Sequence, residues 1–215
     1  MTPASVAVLV SGSGTNLQAL LDALRDSSIA QVARVVSNRA HAPALEHARR
    51  AGVPVTVLAD PSDGAELIDA LRDSRLVVLA GYLKHVPAAV VARFRWRLVN
   101  IHPALLPVFG GPGMYGRRVH EAVLASGVAV SGATVHYVEE EFDRGPIVAQ
   151  WPVPIQRGDT ADALAARVLE VEHLLLPQVV LELARRGPPA GPVRLFPDGP
   201  RFVTHTQLAV RVIDE

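Results

Sequence analysis

The sequence predicts an α/β protein built on an open, mostly parallel, twisted sheet with helices on both faces. Two observations predict it: short valine-rich apolar runs alternate with longer amphipathic segments in the first half of the chain, and later apolar segments alternate residue by residue. Continuous apolar runs are typical of strands covered on both faces, whereas alternation is typical of strands with one covered face. The β-α-β-α order of the first half indicates parallel strands joined by covering helices.

The first half of the chain divides into alternating strands and helices. The predicted strands are 6–10, 32–36, 53–58, 76–80 and 97–101. The predicted helices are 16–25, 44–51 and 65–71. In the first of these helices the leucines fall on one face, and Gly52 follows the second helix at the position where a left-handed residue closes many helices.

The second half of the chain has a different pattern. The predicted elements are a helix at 119–126, alternating strands at 133–138 and 147–153, and a long helix at 160–186. We expect the two strands to form an antiparallel pair at the sheet edge, with Thr160 capping the long helix and Pro177 kinking it. The result is a Rossmann-like sheet in which residues 1–187 form the α/β domain. Residues 188–215 are a tail of the same domain, with a small hairpin around Asp198-Gly199.

The composition excludes several classes of protein. The 215 residues suit one domain with its own core, and 21 basic residues balance 21 acidic ones, which leaves no basic surface for nucleic acid or an anionic membrane. The absence of cysteine excludes disulfides, zinc–thiolate sites and cysteine nucleophiles. The first apolar run is too short for a signal peptide or a membrane span, so we expect a cytoplasmic protein. The histidines lack metal-ligand spacing, and we expect no metal.

A glycine-rich loop at residues 11–16 follows the first strand and opens the first helix. Small residues let a ligand approach the backbone, and free amides at a helix start attract anions. The alternative is a tight turn in which Ser13 or Thr15 caps the helix. Leu17 occupies the third glycine position of a dinucleotide fingerprint, and no Gly-Lys-Ser/Thr follows, so a monophosphate fits better than a dinucleotide or a nucleoside triphosphate.

Asn100 and His102 lie at the carboxyl end of the fifth predicted strand, the edge at which open α/β sheets bind ligands. Two residues apart on an extended chain, their side chains point to one side, where both can reach a carbonyl oxygen that gains negative charge. Pro103 favours an extended backbone at His102. The alternative is a strand end with a hydrogen-bonded histidine that has no chemical role.

Asp143 lies in the connection between the two alternating strands and is followed by Arg-Gly-Pro. A carboxylate near His102 would raise the pKa of the imidazole, and such a pair could act as a general acid and proton relay. On the pattern alone, an aspartate that only shapes the turn is the favoured interpretation.

These segments together resemble the glycinamide ribonucleotide formyltransferase family. The matching stretches are 8–18, 79–82, 98–107, 132–136, 143–147 and 172–173, and the resemblance runs in order from about residue 5 to residue 185. The string Asn-x-His-Pro-x-Leu-Leu-Pro is typical of folate formyltransferases as a group, and the Ser-Gly-x-Gly-Thr-Asn loop is typical of the glycinamide ribonucleotide branch.

The resemblance implies transfer of the formyl group of 10-formyltetrahydrofolate to the amine of glycinamide ribonucleotide, in de novo purine biosynthesis. It implies that Asn100 and His102 stabilise the oxyanion that forms when the amine attacks the formyl carbon. It also implies that His102 donates a proton and that Asp143 raises the pKa of His102. The residues implied for the ribonucleotide are Gly12, Ser13, Gly14, Thr15, Asn16, Thr134, His136 and Glu172. The residues implied for the folate are Leu83, Lys84, His85, Val86, Asn100, Val138, Glu139, Glu140 and Asp143. A monomer and a homodimer both remain open.

Glu172 interrupts an apolar stripe of the long predicted helix. A buried carboxylate needs partners, which the resemblance supplies as ribose hydroxyls and which a structural salt bridge could also supply. The sequence departs from the family elsewhere. Residues 60–74 form a shorter segment without a matching arginine for the folate tail, Lys84 stands where arginine is common, and the glycine-rich loop at 108–119 has an unfamiliar form. We hypothesise that this loop is a mobile lid.

Three other functions compete with this one. Formyltransferases that act on methionyl-tRNA or on an amino sugar nucleotide share the Asn-x-His-Pro segment, but the former carry an extra C-terminal domain and the neutral charge suits tRNA poorly. A hydrolase releasing formate from the same folate would use the same His102 and Asp143, and typically has an N-terminal regulatory domain. A non-catalytic nucleotide-binding module would keep the glycine loop without needing Asn100, His102 and Asp143 together.

Overall fold

The computed structural model describes residues 2–187 and 190–195, together with the backbone of 201–203 and 210–212. The strands are β1 (Ala4–Val10), β2 (Ala30–Ser37), β3 (Val55–Val57), β4 (Leu76–Leu79), β5 (Leu98–His102), β6 (Val130–Tyr137), β7 (Ile147–Pro154), β8 (Arg201–Val203) and β9 (Val210–Val212). The helices are α1 (Thr15–Leu24), α2 (Ala44–Arg50), α3 (Gly64–Leu71), α4 (Ala88–Arg93), α5 (Arg117–Ala125) and α6 (Ala161–Arg186).

The main sheet has the strand order β3-β2-β1-β4-β5-β6-β7. The first five strands in this order pair in parallel, and β6 pairs antiparallel with both β5 and β7. The predicted fold class and the antiparallel pair at the sheet edge are therefore confirmed. The chain proceeds outward from β1 to β3 and then returns to place β4 on the other side of β1. This reversal opens a crevice beyond the carboxyl ends of β1 and β4, where ligands of open α/β sheets bind.

The helices cover both faces of the sheet, as predicted. One apolar cluster packs α1, α2, α5 and α6 against β1 residues Val6, Val8 and Val10. The other packs α3 and α4 against the alternate β1 residues Ala7 and Leu9. Side chains on a strand point alternately to opposite faces, so these two clusters lie on opposite sides of the sheet. The loops at the carboxyl edge of the sheet therefore form two groups: those that lead to α1, α2, α5 and α6 on one face, and those that lead to α3 and α4 on the other.

Most local predictions hold within one or two residues, with a few differences. Gly52 has a φ of 69°, as expected for a left-handed residue after a helix. Thr160 Oγ1 accepts a hydrogen bond from Ala163 N at 3.1 Å and so caps α6, which continues through Pro177 to its end. Helix α4 was not predicted, because six residues are too few to show a helical period.

The C-terminal strands β8 and β9 pair antiparallel in a separate two-stranded sheet, with residues 204–209 between them. The turn expected at Asp198-Gly199 lies outside the described residues. Across the described part of the chain, no helix combines the length and the apolar character that a bilayer crossing requires.

Candidate active site

A cavity of about 630 Å³ lies beyond the carboxyl ends of β1, β4 and β5. Its walls are the glycine loop, the loop after β4, the end of β5, residues 111–117, the connection between β6 and β7, and one side of α6. The volume is in the range of pockets that enclose small-molecule ligands. The crevice expected from the reversal of strand order is therefore present as a defined cavity.

The glycine loop leaves the start of α1 open toward this cavity. Gly14 is the cap residue with a φ of 82°, and no side chain hydrogen-bonds to the first turn, so the alternative in which Ser13 or Thr15 caps the helix is wrong. A Cβ atom on Gly14 would lie 2.5 Å from the Cβ of Ala44, which only glycine avoids. Free amides and the positive end of the helix dipole make this loop suitable for an anionic group.

Ser11 connects the glycine loop to the opposite wall and was missed by sequence reasoning. Its hydroxyl donates to Asn38 Oδ1 at 2.5 Å and accepts from Leu83 N at 2.9 Å. Its own amide donates to Gly81 O at 3.1 Å. Because these contacts join residues far apart in sequence, the loop after β1 and the loop after β4 are held in one arrangement.

Asn100, His102, His136 and Asp143 form one cluster in the cavity. Strand register places Asn100 opposite His136, with Asn100 Nδ2 3.1 Å from His136 Nε2. Asp143 Oδ2 lies 3.7 Å from His102 Nδ1, and Asp143 Oδ1 lies 3.5 Å from His136 Nε2. The interpretation of Asp143 as a residue that only shapes the turn is therefore wrong. It has a φ of 57°, which is uncommon for a residue other than glycine and turns its carboxylate between the two histidines.

The backbone partner of His102 determines its neutral tautomer. Nε2 donates to Phe109 O at 2.8 Å, since a carbonyl oxygen only accepts. The neutral ring therefore carries its proton on Nε2 and presents the lone pair of Nδ1 toward Asp143. For His136, Nδ1 donates to Tyr137 O at 2.8 Å, so in the neutral ring Nε2 accepts from the Asn100 amide. One N–H of that amide remains for a ligand.

Burial and charge act in opposite directions on this cluster. Burial lowers the pKa of His102, and the nearby Asp143 carboxylate only partly offsets this by raising it. The implied effect of Asp143, which is to raise the pKa of His102, is therefore present, but burial outweighs it and the pKa is lowered overall. For Asp143, burial favours the neutral form, but the contact with His136, the Gly111 amide at 2.8 Å and the charge of His102 together lower its pKa. The carboxylate is therefore ionised at neutral pH.

Residues 109–111 hold both partners of this pair. Phe109 O accepts from His102, and Gly111 N donates to Asp143 Oδ2. Between them, a Cβ atom on Gly110 would lie 2.9 Å from the Cβ of Asp143 and 2.5 Å from Leu106 Cδ2, so the close approach requires glycine. The start of the 108–119 loop is thus fixed to the cluster. The mobile lid remains a hypothesis for the rest of that loop.

Glu172 is buried on the cavity side of α6. Its Oε2 accepts from Asn16 Nδ2 at 2.8 Å, so its partner is an amide of the glycine loop rather than the cation of a salt bridge. Burial raises the pKa of Glu172 to about 7, against the opposing effect of the Asn16 hydrogen bond. Asn16 Oδ1 is buried without a hydrogen-bond partner among the described residues. Both side chains therefore have capacity for a hydroxyl-bearing ligand.

Thr134 is the one predicted ribonucleotide residue that does not line the cavity. It is fully buried, and its hydroxyl donates to Ala104 O at 2.6 Å while accepting from Leu106 N and Gln150 Nε2. Its hydroxyl is used in holding the segment after His102, which leaves nothing for a ligand. The expected direct contact is corrected to this structural one.

All the residues implied for the folate line the same cavity. They belong to the end of β5, the loop after β4 and the connection between β6 and β7. The last two walls are joined because His85 Nε2 donates to Glu140 O at 2.8 Å and the His85 ring meets the edge of Phe142 at 5.1 Å between centroids. The contact of the Phe142 ring with His85 was not predicted, because an aromatic residue in a turn of glutamates shows no periodic pattern.

Metal binding finds no support in this part of the chain. Within residues 2–187 and 190–195, no group of three or more histidine, aspartate or glutamate side chains is arranged to hold an ion. The absence of a metal remains a prediction.

Fold and site together define an α/β ligand-binding protein whose cavity joins an acid–base cluster to an open helix start. The family model described as formyl transferase matches residues 4–180. The chain is 46% identical over 185 residues to the chloroplastic phosphoribosylglycinamide formyltransferase of Arabidopsis thaliana, covering 81% of this chain and 63% of that protein. It is 38% identical over 185 residues to the phosphoribosylglycinamide formyltransferase of Escherichia coli (strain K12), covering 82% of this chain and 85% of that protein.

A crystal structure of phosphoribosylglycinamide formyltransferase from Anaplasma phagocytophilum matches with a TM-score of 0.79 at 39% identity, covering 85% of this chain and 87% of that one. The chain belongs to the formyl transferase family, in the branch of the phosphoribosylglycinamide formyltransferases.

Proposed function

We propose that this protein transfers the formyl group of 10-formyltetrahydrofolate to the amine of glycinamide ribonucleotide, giving formylglycinamide ribonucleotide and tetrahydrofolate in de novo purine biosynthesis. The observation that carries this proposal is the position of Asp143 between His102 and His136, in a cavity that also contains the open start of α1. An acid–base cluster within reach of an anion site suits a reaction on a phosphorylated amine. A module that only bound nucleotides would not need this cluster.

In the proposed reaction, the amine nitrogen attacks the formyl carbon and its carbonyl oxygen becomes an oxyanion. The free N–H of the Asn100 amide donates to that oxyanion. His102 takes the proton of the attacking amine on Nδ1, where the lone pair lies in the neutral tautomer, and becomes an imidazolium stabilised by Asp143. As the oxyanion collapses, the bond from carbon to N10 of the folate breaks. His102 returns the proton to N10, so no proton is gained or lost.

The ribonucleotide is proposed to lie between the glycine loop and the cluster. Residues 12–16 would hold its phosphate, and Glu172 its ribose hydroxyls. The folate would enter between the walls joined by His85 and Glu140. We propose that the transfer needs no metal. We also propose that residues 1–187 form one domain and that residues 188–215 are its tail. A cytoplasmic location and a monomer or homodimer are the remaining parts of the proposal.

Absorbance-monitored loss of the formyl group from 10-formyltetrahydrofolate, with and without glycinamide ribonucleotide, tests the proposal directly. We expect turnover that requires the ribonucleotide. Equal turnover without it would indicate a hydrolase, and absence of turnover in both cases would refute the transferase.

The Asn100→Ala and His102→Ala variants provide the matched comparison. We expect each to bind the ribonucleotide while kcat falls by about 10²-fold or more, because each removes a group that acts in the transition state. Loss of ribonucleotide binding in both variants would contradict the assigned roles.

A further inference from the structure

His120 is a buried titratable group that lines the cavity and has no part in the mechanism above. It lies on α5 and is 4% exposed. Its Nδ1 is sealed from solvent and has no hydrogen-bond partner in the described part of the chain, whereas Nε2 is not sealed in this way. A nearly buried ring with an unpartnered nitrogen on a cavity wall needs an explanation, since such groups are rare in folded proteins.

The surroundings of His120 determine its protonation. Burial lowers its pKa, and the neighbouring His102 lowers it further, so the ring is neutral at physiological pH. A neutral imidazole carries one proton, and a buried N–H without an acceptor costs more than an unfilled lone pair. The proton therefore resides on Nε2. In this tautomer His120 offers the cavity an uncharged hydrogen-bond donor.

The position of α5 identifies which substrate His120 meets. Val119 and Val123 of α5 belong to the same apolar cluster as α1 and α6, on one face of the sheet. Helix α1 begins at the glycine loop, and α6 carries Glu172. The loop at 83–86 leads instead to α4 on the opposite face. His120 thus lies on the wall shared with the proposed phosphate and ribose contacts, and it lines the same cavity as His102, which helps to lower its pKa.

We propose that His120 is a further substrate-binding residue, which donates its Nε2–H to an uncharged oxygen at the amine-bearing end of the ribonucleotide. This assignment rests on the proposed function for the identity of the ligand. It makes His120 a specificity residue for the glycinamide group, beside the phosphate contacts of residues 12–16.

The pair His120→Leu and His120→Gln tests the donor. Leucine and glutamine are similar in size, but only glutamine supplies an uncharged N–H. We expect His120→Leu to raise both the Kd and the KM of glycinamide ribonucleotide about 10-fold, because a substrate oxygen is left unpaired. We expect His120→Gln to stay within about threefold of the wild type, and the folate KM to change by less than about twofold in either variant.

Val123→Ala is the control for damage to α5. Val123 is buried in the same helix and does not line the cavity, so its truncation should lower the melting temperature and leave the ribonucleotide Kd unchanged. Calorimetry without folate gives the Kd independently of catalysis. A wild type that binds the ribonucleotide without transferring formyl would refute the proposed function while leaving this comparison intact.

Three results would overturn the proposal for His120. The first is a His120→Leu Kd equal to that of the wild type. The second is an equal loss of binding in Val123→Ala. The third is a His120→Gln variant that is as impaired as His120→Leu, with a changed pH profile of kcat, since a titrating base rather than a neutral donor would then be at work.

Discussion

Asp143→Asn removes the negative charge beside His102 while keeping the shape of the side chain. The carboxylate lies 3.7 Å from His102 Nδ1, and both side chains are largely buried, with His102 at 4% and Asp143 at 12% exposure. Two unit charges about 4 Å apart interact by about 4 kcal/mol at an effective dielectric constant of ~20. If Asp143 stabilises the imidazolium that forms during transfer, its loss should lower kcat by about 10³-fold, within a range of about 10²–10⁴.

The pH profile of kcat separates this charge effect from a distorted site. Asp143 raises the pKa of His102 against the larger lowering effect of burial, so its removal lets that pKa fall further. His102 must be neutral to accept the amine proton, and the acid limb of the profile should therefore move to lower pH in Asp143→Asn. As a matched control, the same change at an exposed aspartate of α1, Asp22→Asn, should leave kcat and its pH profile as in the wild type. A loss below about 10-fold, or a limb that moves to higher pH, would refute the reasoning.

Other predictions follow from the same contacts. Gly14→Ala should destabilise the fold by about 1–2 kcal/mol and raise the ribonucleotide KM, because the backbone at this position is left-handed and the added Cβ would clash with Ala44. Thermal denaturation and steady-state kinetics check these two effects. His85→Ala and Phe142→Ala should each raise the folate KM severalfold, with a coupling of about 0.5–1.5 kcal/mol in a double-mutant cycle and an unchanged ribonucleotide KM. Additive effects would show that the ring contact is unimportant. Glu172→Gln removes a carboxyl whose folded pKa is about 7 against an ordinary value of 4.5. The wild type therefore loses stability as pH rises through this window, and the variant should gain up to about 3 kcal/mol relative to it between about pH 5 and pH 8, as measured by denaturant unfolding.

The fold could be predicted from the sequence because its information is local. A valine-rich run indicates a strand and a one-sided row of leucines indicates a helix, each within a few residues. The alternation of such segments is compatible with few topologies. The open helix start at the glycine loop was also within reach, since the loop directly follows a strand. Asn100 and His102 could be paired because a strand places alternate side chains on one side.

The contacts that make the cluster reactive join segments far apart in sequence. Asp143 is separated from His102 by α5 and the whole of β6, and only the register of β6 brings the turn back over the end of β5. No pattern in the sequence distinguishes His120 from the other histidines, which lack metal-ligand spacing. Its significance depends on tertiary packing, which leaves its Nδ1 without a partner among the described residues. The net lowering of the His102 pKa could not be predicted for the same reason, since burial is a property of the folded chain.

The two turns that meet at the cluster explain how opposing demands on His102 are reconciled. Phe109 and Asp143 both have left-handed backbones, at φ 60° and 57°, which cost free energy in residues other than glycine. Each strained residue presents one group to His102: a carbonyl that fixes the proton on Nε2, and a carboxylate that faces Nδ1. Burial keeps the resting ring neutral and able to accept a proton, while the carboxylate stabilises the ring once it is charged. A single histidine can then serve as base and acid in one turnover, because the environment favours neither form strongly enough to hold it there.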